Sequence, residues 1–295
     1  MAYRIDPCLP LDQEARRIVG EQFDRAAAEL AMAAGDPREA ARRLRTRLKK
    51  LRGLLCLLRK SDKSFYAREN ARYRELSQSL GNLRDAASCS LLLDRIAGET
   101  ERPAEIALIG DRLDQGLAEG ESASRAALAK AQDALDRGRL ALGGFEVSPH
   151  KAARAVAAGL GRNYGAARRA LRKASANGAP QHLHELRKRL KYYWMHLKLL
   201  RDIWPATTPE ARAAAKTAAD SLGAYNDLVV LVAALDALLP ADDAGRQWLS
   251  PLVVQRAAAE AGRCVEAAGA VLARSRKAVT AEVEALYSVA ARPPN

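Results

Sequence analysis

"RRLRTRLKKLRGLLCLLRK", residues 42–60, carries nine Lys or Arg and no acid. Five of its seven leucines, at 44, 48, 51, 55 and 58, are spaced 4, 3, 4, 3. That spacing is the apolar stripe of an amphipathic helix, so one face is committed to a core. The charges take the remaining faces. Arg42, Arg45, Lys49 and Arg52 form one line at spacings 3, 4, 3. Such a line rises about one turn, ~5.4 Å, per step. A row of like charge repels itself unless an anion lies along it.

The pattern recurs. "RTRLKKLRGLLCLLRK" begins at Arg45 and "RKRLKYYWMHLKLLRD" at Arg187, an offset of 187 − 45 = 142. "LGNLRDAASCSLLLDR" at Leu80 and "LGAYNDLVVLVAALDA" at Leu222 give 222 − 80 = 142 again. Upstream, "VGEQFDRAAAEL" (19–30) and "LGRNYGAARRAL" (160–171) pair at 141. The chain therefore reads as an internal duplication, repeat 1 about 10–143 and repeat 2 about 148–291, in one domain spanning 1–295. In the second copy the stripe is Leu186, Leu190, Tyr193, Leu197 and Leu200, and the polar line is His184, Arg187 and Lys191, with Trp194 in the place of Arg52.

Helix punctuation supports an all-α fold. Asp36, Pro37 and Glu39 read as N-cap, N1 and N3; Ser148 precedes Pro149, and Thr208 precedes Pro209 and Glu210. The expected helices are 11–33, 37–59, 63–80, 82–98 and 103–142, then 149–174, 180–203, 208–222, 225–239 and 245–290. Composition agrees: 48% of residues are hydrophobic, Ala and Leu dominate, and no alternating strand pattern stands out. No window approaches 18 uncharged apolar residues, and the first residues lack a signal-peptide core, so neither a membrane span nor a leader is expected. Cys8, Cys56, Cys89 and Cys264 lack zinc-like or CxxC spacing and read as reduced packing residues of a cytoplasmic protein.

The formal net charge is +13. Residues 38–60 hold ten Lys or Arg and one acid, a local +9, and residues 184–201 hold six and one, a local +5. Since 9 + 5 = 14, everything else nets to −1. Charge spread for solubility would not be focused on two equivalent segments; charge gathered for an anion would. Arginine adds planar bidentate donors that match phosphate oxygens. Two such rows facing each other across a pseudo-two-fold axis would line a groove suited to a long polyanion.

These residues resemble a known family. "HELRKRLKYY" (184–193) with "LGAYNDL" (222–228), and "RRLRTRLKKLR" (42–52) with "LGNLRDA" (80–86), are similar to the duplicated signature of the CHAD domain, the conserved histidine α-helical domain. The resemblance spans about 10–290. It implies two four-helix bundles around a basic central cavity, binding of inorganic polyphosphate, and recruitment to polyphosphate granules. Some members of the family occur beside a triphosphate-tunnel domain; this chain has no room for one and is expected to be a stand-alone module, with no catalytic residue and no cofactor expected. Carried over by position, polyphosphate contacts fall to Arg42, Arg45, Lys49, Arg52, His184, Arg187, Lys188 and Lys191. A second tier comprises Arg38, Arg43, Lys50, Tyr164, Arg168, Arg172 and Arg84. Asp85 and Asp227 mark the repeated helix start and are expected to orient cations or cap. One departure stands out: Arg42 occupies the position of the family's first name-giving histidine. Arginine keeps its charge at all relevant pH, so anion binding survives while any role needing two histidines is put in doubt.

Three rival readings remain at this stage. A nucleic-acid backbone also suits basic rows, but single-strand binders add exposed aromatics, and these lines are aromatic-poor. A metal site would use His182, His184 and His196, yet no pair shares the i, i+4 spacing that grips zinc, so no metal is expected. An enzyme would need a carboxylate cluster or an activated nucleophile, and the basic segments hold Glu39 and Glu185 alone. The long helices after 103 and after 245 leave room for a homodimer or granule-scaffold role.

Overall fold

The structure, a computed structural model, describes residues 3–292, with the side chains of 38, 82–87, 114 and 116–124 outside the description. Ten α-helices run in order: α1 (Leu11–Ala31), α2 (Pro37–Leu58), α3 (Lys63–Ser79), α4 (Gly81–Ala97), α5 (Pro103–Gly143), α6 (Ala152–Asn177), α7 (Pro180–Leu199), α8 (Pro209–Leu238), α9 (Ala244–Val271) and α10 (Arg276–Ala290). A 3-10 turn, Pro149–Lys151, precedes α6, and no strand occurs among the described residues.

The expected caps set the starts of two key helices. Asp36 Oδ1 accepts the Glu39 amide at 2.9 Å and Thr208 Oγ1 accepts that of Ala211 at 3.2 Å, each relieving one orphan donor of a first turn. Ser148 makes no such cap, because the chain after it enters the 3-10 turn. Glu39 does not reach back to its own cap either. It is held forward by Arg42 and Arg43, whose hydrogen bonds lower its carboxyl to about 2.

Both leucine stripes are buried as the spacing predicts: Leu44, Leu48, Leu51, Leu55 and Leu58 on α2, and Leu186, Leu190, Tyr193 and Leu197 on α7 with Leu200 at its C-cap. Each fully buried leucine contributes about 2 kcal/mol of apolar transfer. α1 to α5 pack on one another and α6 to α10 likewise, and the two groups meet where α2 lies against α6 and α7 and where α4 lies against α8. At the α2–α7 crossing Gly53 has no side chain, and Met195 fills the space a Cβ would take. The buried imidazole of His196 bonds to Gly53 O at 3.0 Å. That crossing fixes both basic helices relative to each other.

Two boundaries differ from the sequence expectation. Residues 208–222 and 225–239 form one continuous helix, α8. A mid-helix glycine such as Gly223 costs only about 1 kcal/mol, too little to break a run of good helix formers. The equivalent "SLG" in the first half does break: α3 ends at Ser79, and the Arg45 guanidinium donates to Ser77 O, one of the carbonyls left open at that end. Conversely, 245–290 is not one helix. α9 ends at Val271, and Ser275 caps α10 by accepting the Ala278 amide at 3.1 Å.

α8 is, by length and composition alone, apolar enough to cross a membrane. In this fold it packs against α7, α9 and α4.

Candidate functional site: a basic cavity between α2 and α7

A cavity of about 800 Å³ opens between the two groups of helices. α2 supplies Arg42, Arg45, Thr46 and Lys49, and α7 supplies Arg187 and Lys191. α4 adds Ser88, Leu91, Leu92 and Arg95; α8 adds Asp220, Gly223 and Asp227; α9 adds Arg256, Glu260 and Arg263. Glu99 lies at the rim beyond α4. Among the described residues the lining holds eight Lys or Arg against four carboxylates, 8 − 4 = +4, and no aromatic ring.

The carboxylates steer particular cations. Glu99 accepts from Arg256 at 2.6 Å, Glu260 accepts from Arg263 Nε at 3.0 Å, and Asp220 stands 3.7 Å from Lys191. These pairs hold long side chains in place and leave the wall net positive. The Arg42 guanidinium, largely exposed, is anchored by Glu39 through two bonds. Arg45 is anchored by Ser77 O. Anchored guanidinium groups lose less rotamer freedom when they meet a phosphate, which favours binding.

Five expected contacts therefore converge: Arg42, Arg45, Lys49, Arg187 and Lys191. The other expected residues with described side chains do not line the cavity. Arg52, one turn past Lys49, bonds through Nε to Asn70 Oδ1 of α3 at 3.1 Å. His184 sits at the start of α7 with Nδ1 3.3 Å from Asn226 Oδ1. Lys188 turns to Glu185. Arg43 is shared by Glu39 and Glu29, at 2.6 and 3.6 Å. Lys50 lies over the Tyr3 ring, and burial, reinforced by Arg47, Lys198 and Arg25, lowers its ammonium to about 8. Arg168 and Arg172 stand on α6, away from the cavity. Arg38, Arg84 and Asp85 lie outside the described side chains.

Tyr164 is a correction. It is fully buried, its hydroxyl donates to Arg274 O at 3.1 Å, and its ring meets Tyr193 edge-on at 5.1 Å. A phenol enclosed in the core between α6, α7 and α10 has no path to an anion. Sequence reasoning in turn missed Arg95, Arg256 and Arg263. They sit in segments whose acids cancel them, so a local charge count passes over them. The seven-residue step from Arg256 to Arg263 does place both on one helix face.

Among the described residues no three His, Cys, Asp or Glu side chains converge as a metal site would need. Burial raises the thiols of Cys56 and Cys264 to about 11 and about 12, so neither is a thiolate nucleophile at neutral pH. His196, the buried histidine, is kept neutral: burial lowers it to about 4.

Comparison with known proteins agrees with this architecture. Among curated proteins no significant match is found. The crystal structure of the CHAD domain from the plant Ricinus communis superposes with a TM-score of 0.59 at 16% sequence identity, covering 97% of this chain and 95% of that one. At that identity the likeness concerns the fold. The family model for the CHAD domain matches residues 17–236, most of the chain and both basic helices. The chain belongs to the CHAD-domain family.

Proposed function

We propose that the chain is a non-enzymatic binder of inorganic polyphosphate, held in the cavity between α2 and α7, and that binding recruits it to polyphosphate granules in the cytoplasm. The observation that carries this reading is the lining itself: Arg42, Arg45 and Lys49 from one helix and Arg187 and Lys191 from another share one cavity that is net positive and has no aromatic ring. A polyphosphate chain offers oxygens and charge at every unit and no base to stack. It needs what this wall supplies, multidentate guanidinium donors and point charges, and nothing that the wall lacks.

The second reading is a nucleic-acid backbone. Single strands are held by stacking as well as charge, at roughly 1–3 kcal/mol per base. An aromatic-free cavity forgoes that contribution, which favours polyphosphate.

Calorimetry with long-chain polyphosphate, tripolyphosphate and single-stranded DNA, at equal phosphate concentration, separates the two. Polyphosphate should bind most tightly, with affinity falling steeply as salt rises. Equal or tighter binding of DNA overturns the proposal.

A further inference from the structure

A second cavity, of about 220 Å³, lies between the C-terminal end of α2, the middle of α6 and the first turn of α10. Among the described residues its lining is Lys60, Arg162, Arg169, Arg276 and Ala158: four cations and no carboxylate. It shares no described lining residue with the first cavity, and Lys60 stands eleven residues beyond Lys49, past the C-terminal end of α2.

Two features mark it as a built site. The first is the way Arg276 is seated. A Cβ on Gly165 would fall 2.8 Å from Arg276 Cδ, and one on Gly161 would overlap Thr280 of α10. The two glycines let the first turn of α10 settle on α6, so the Arg276 stem lies along α6 beside Arg169. The second is the absence of compensation. Elsewhere on this protein most arginines find a carboxylate, but among the described residues no ion pair involves Lys60, Arg162, Arg169 or Arg276. Four cations brought together without a counter-charge repel one another unless an anion joins them.

The cationic character is not a requirement of the fold. By the offsets of the repeated sequence, 162 − 141 = 21 and 60 + 142 = 202, the matching positions are Glu21 and Asp202. Both are acidic and both are ion-paired, with Arg17 at 2.7 Å and Arg4 at 2.8 Å. At the sequence-equivalent positions the chain carries paired acids, where this cavity carries uncompensated bases.

We propose that this cavity is a second anion site, separate from the first, that takes one compact, highly charged phosphate, a di- or triphosphate. Arg162, Arg169 and Arg276 supply planar donors to its oxygens and Lys60 a point charge. The proposal does not depend on what occupies the first cavity.

The test is pyrophosphate titrated calorimetrically at low salt into protein whose first cavity is disabled by Arg45→Glu with Arg187→Glu. The expected result is one pyrophosphate per chain, with affinity falling at least about tenfold when Arg162→Glu and Arg276→Glu are added. All four lining cations are exposed, so the fold should persist, as circular dichroism would verify. The milder pair Lys60→Ala with Arg169→Ala gives an independent reading and should weaken binding in the same direction. Absence of pyrophosphate binding in the disabled protein, or binding indifferent to both pairs of changes, overturns the proposal.

Discussion

The guanidinium of Arg187 on α7 lies against Gly223 of α8: a Cβ on that glycine would stand 3.6 Å from Nη2 and 3.7 Å from Nε. Arg45 on α2 has the same relation to Gly81 of α4, with Nη1 3.8 Å from such a Cβ. In each half the "LG" glycine thus meets an arginine of the basic helix, at one shared sequence offset. A single methyl at 223 makes an ordinary contact, and replacing a mid-helix glycine favours the helix by roughly 0.5–1 kcal/mol. Gly223→Ala should therefore raise the melting temperature slightly and leave polyphosphate affinity unchanged. Gly223→Leu should push the Arg187 head from its place and weaken binding by about tenfold. Titration of the two variants checks this, and a leucine variant that binds as wild type does would remove Arg187 from the site.

Arg256 and Arg263 bring α9 into the first cavity. Replacing both by alanine takes the arginine partners from Glu99 and Glu260 and lowers the net charge of the described lining from +4 to 4 − 2 = +2. Polyphosphate affinity should fall, and the slope of log affinity against log salt should lessen by about one per lost phosphate contact. Matching substitutions outside the cavity, Arg43→Ala with Lys188→Ala, should leave both quantities nearly unchanged. The comparison reads directly whether α9 is part of the site or only its outer wall.

The two basic helices were legible because three independent signals coincide on them: the leucine stripe, the proline-marked starts and the focused charge. Arg45, Lys49, Arg187 and Lys191 follow from that pattern together with their shared cavity. What a linear reading does not supply is the length of the cavity along each helix. Arg52 continues the line of Arg45 and Lys49 but stands one turn beyond the wall and meets Asn70 of α3 instead. Arg95 and Arg256 are hidden for the opposite reason: each lies among acids, and only tertiary packing turns it inward. The Leu-Gly pairs at 80–81 and 222–223 are nearly the same in sequence, yet one is a break and the other mid-helix. The Arg45 bond to the open carbonyl of Ser77 marks the first half as different, and that bond is tertiary.

His196 predicts an acid-side instability. Its imidazole is buried and neutral, and burial lowers it from 6.5 to about 4, partly offset by the bond to Gly53 O. The unfolded chain therefore binds a proton between those pH values that the folded chain does not. Stability consequently falls as pH drops from about 6.5 toward 4, by about 1.4 kcal/mol per unit and roughly 3 kcal/mol in all. His196→Gln keeps a donor for Gly53 O and removes the titration. Urea unfolding from pH 7 to 4 should show a flatter acid limb in the variant, and identical limbs would place the acid sensitivity in other groups.

Gly159 sets the distance between α6 and α2. A Cβ there would stand 1.7 Å from Leu57 O and 2.6 Å from Leu57 C, and backbone atoms have no rotamer to give way. Gly159→Ala must separate the two helices, at a cost of about 3 kcal/mol, a drop in melting temperature of roughly 5–10 °C. Gly262 on α9 has nothing within 4 Å of its would-be Cβ, so Gly262→Ala is the control and should stabilise by up to about 1 kcal/mol. Because α2 carries Arg42, Arg45 and Lys49, the displacement in Gly159→Ala should also weaken polyphosphate binding at temperatures where the variant is still folded. A variant that melts early yet binds normally would mean that the α2–α6 contact supports the fold without setting the position of the cavity wall.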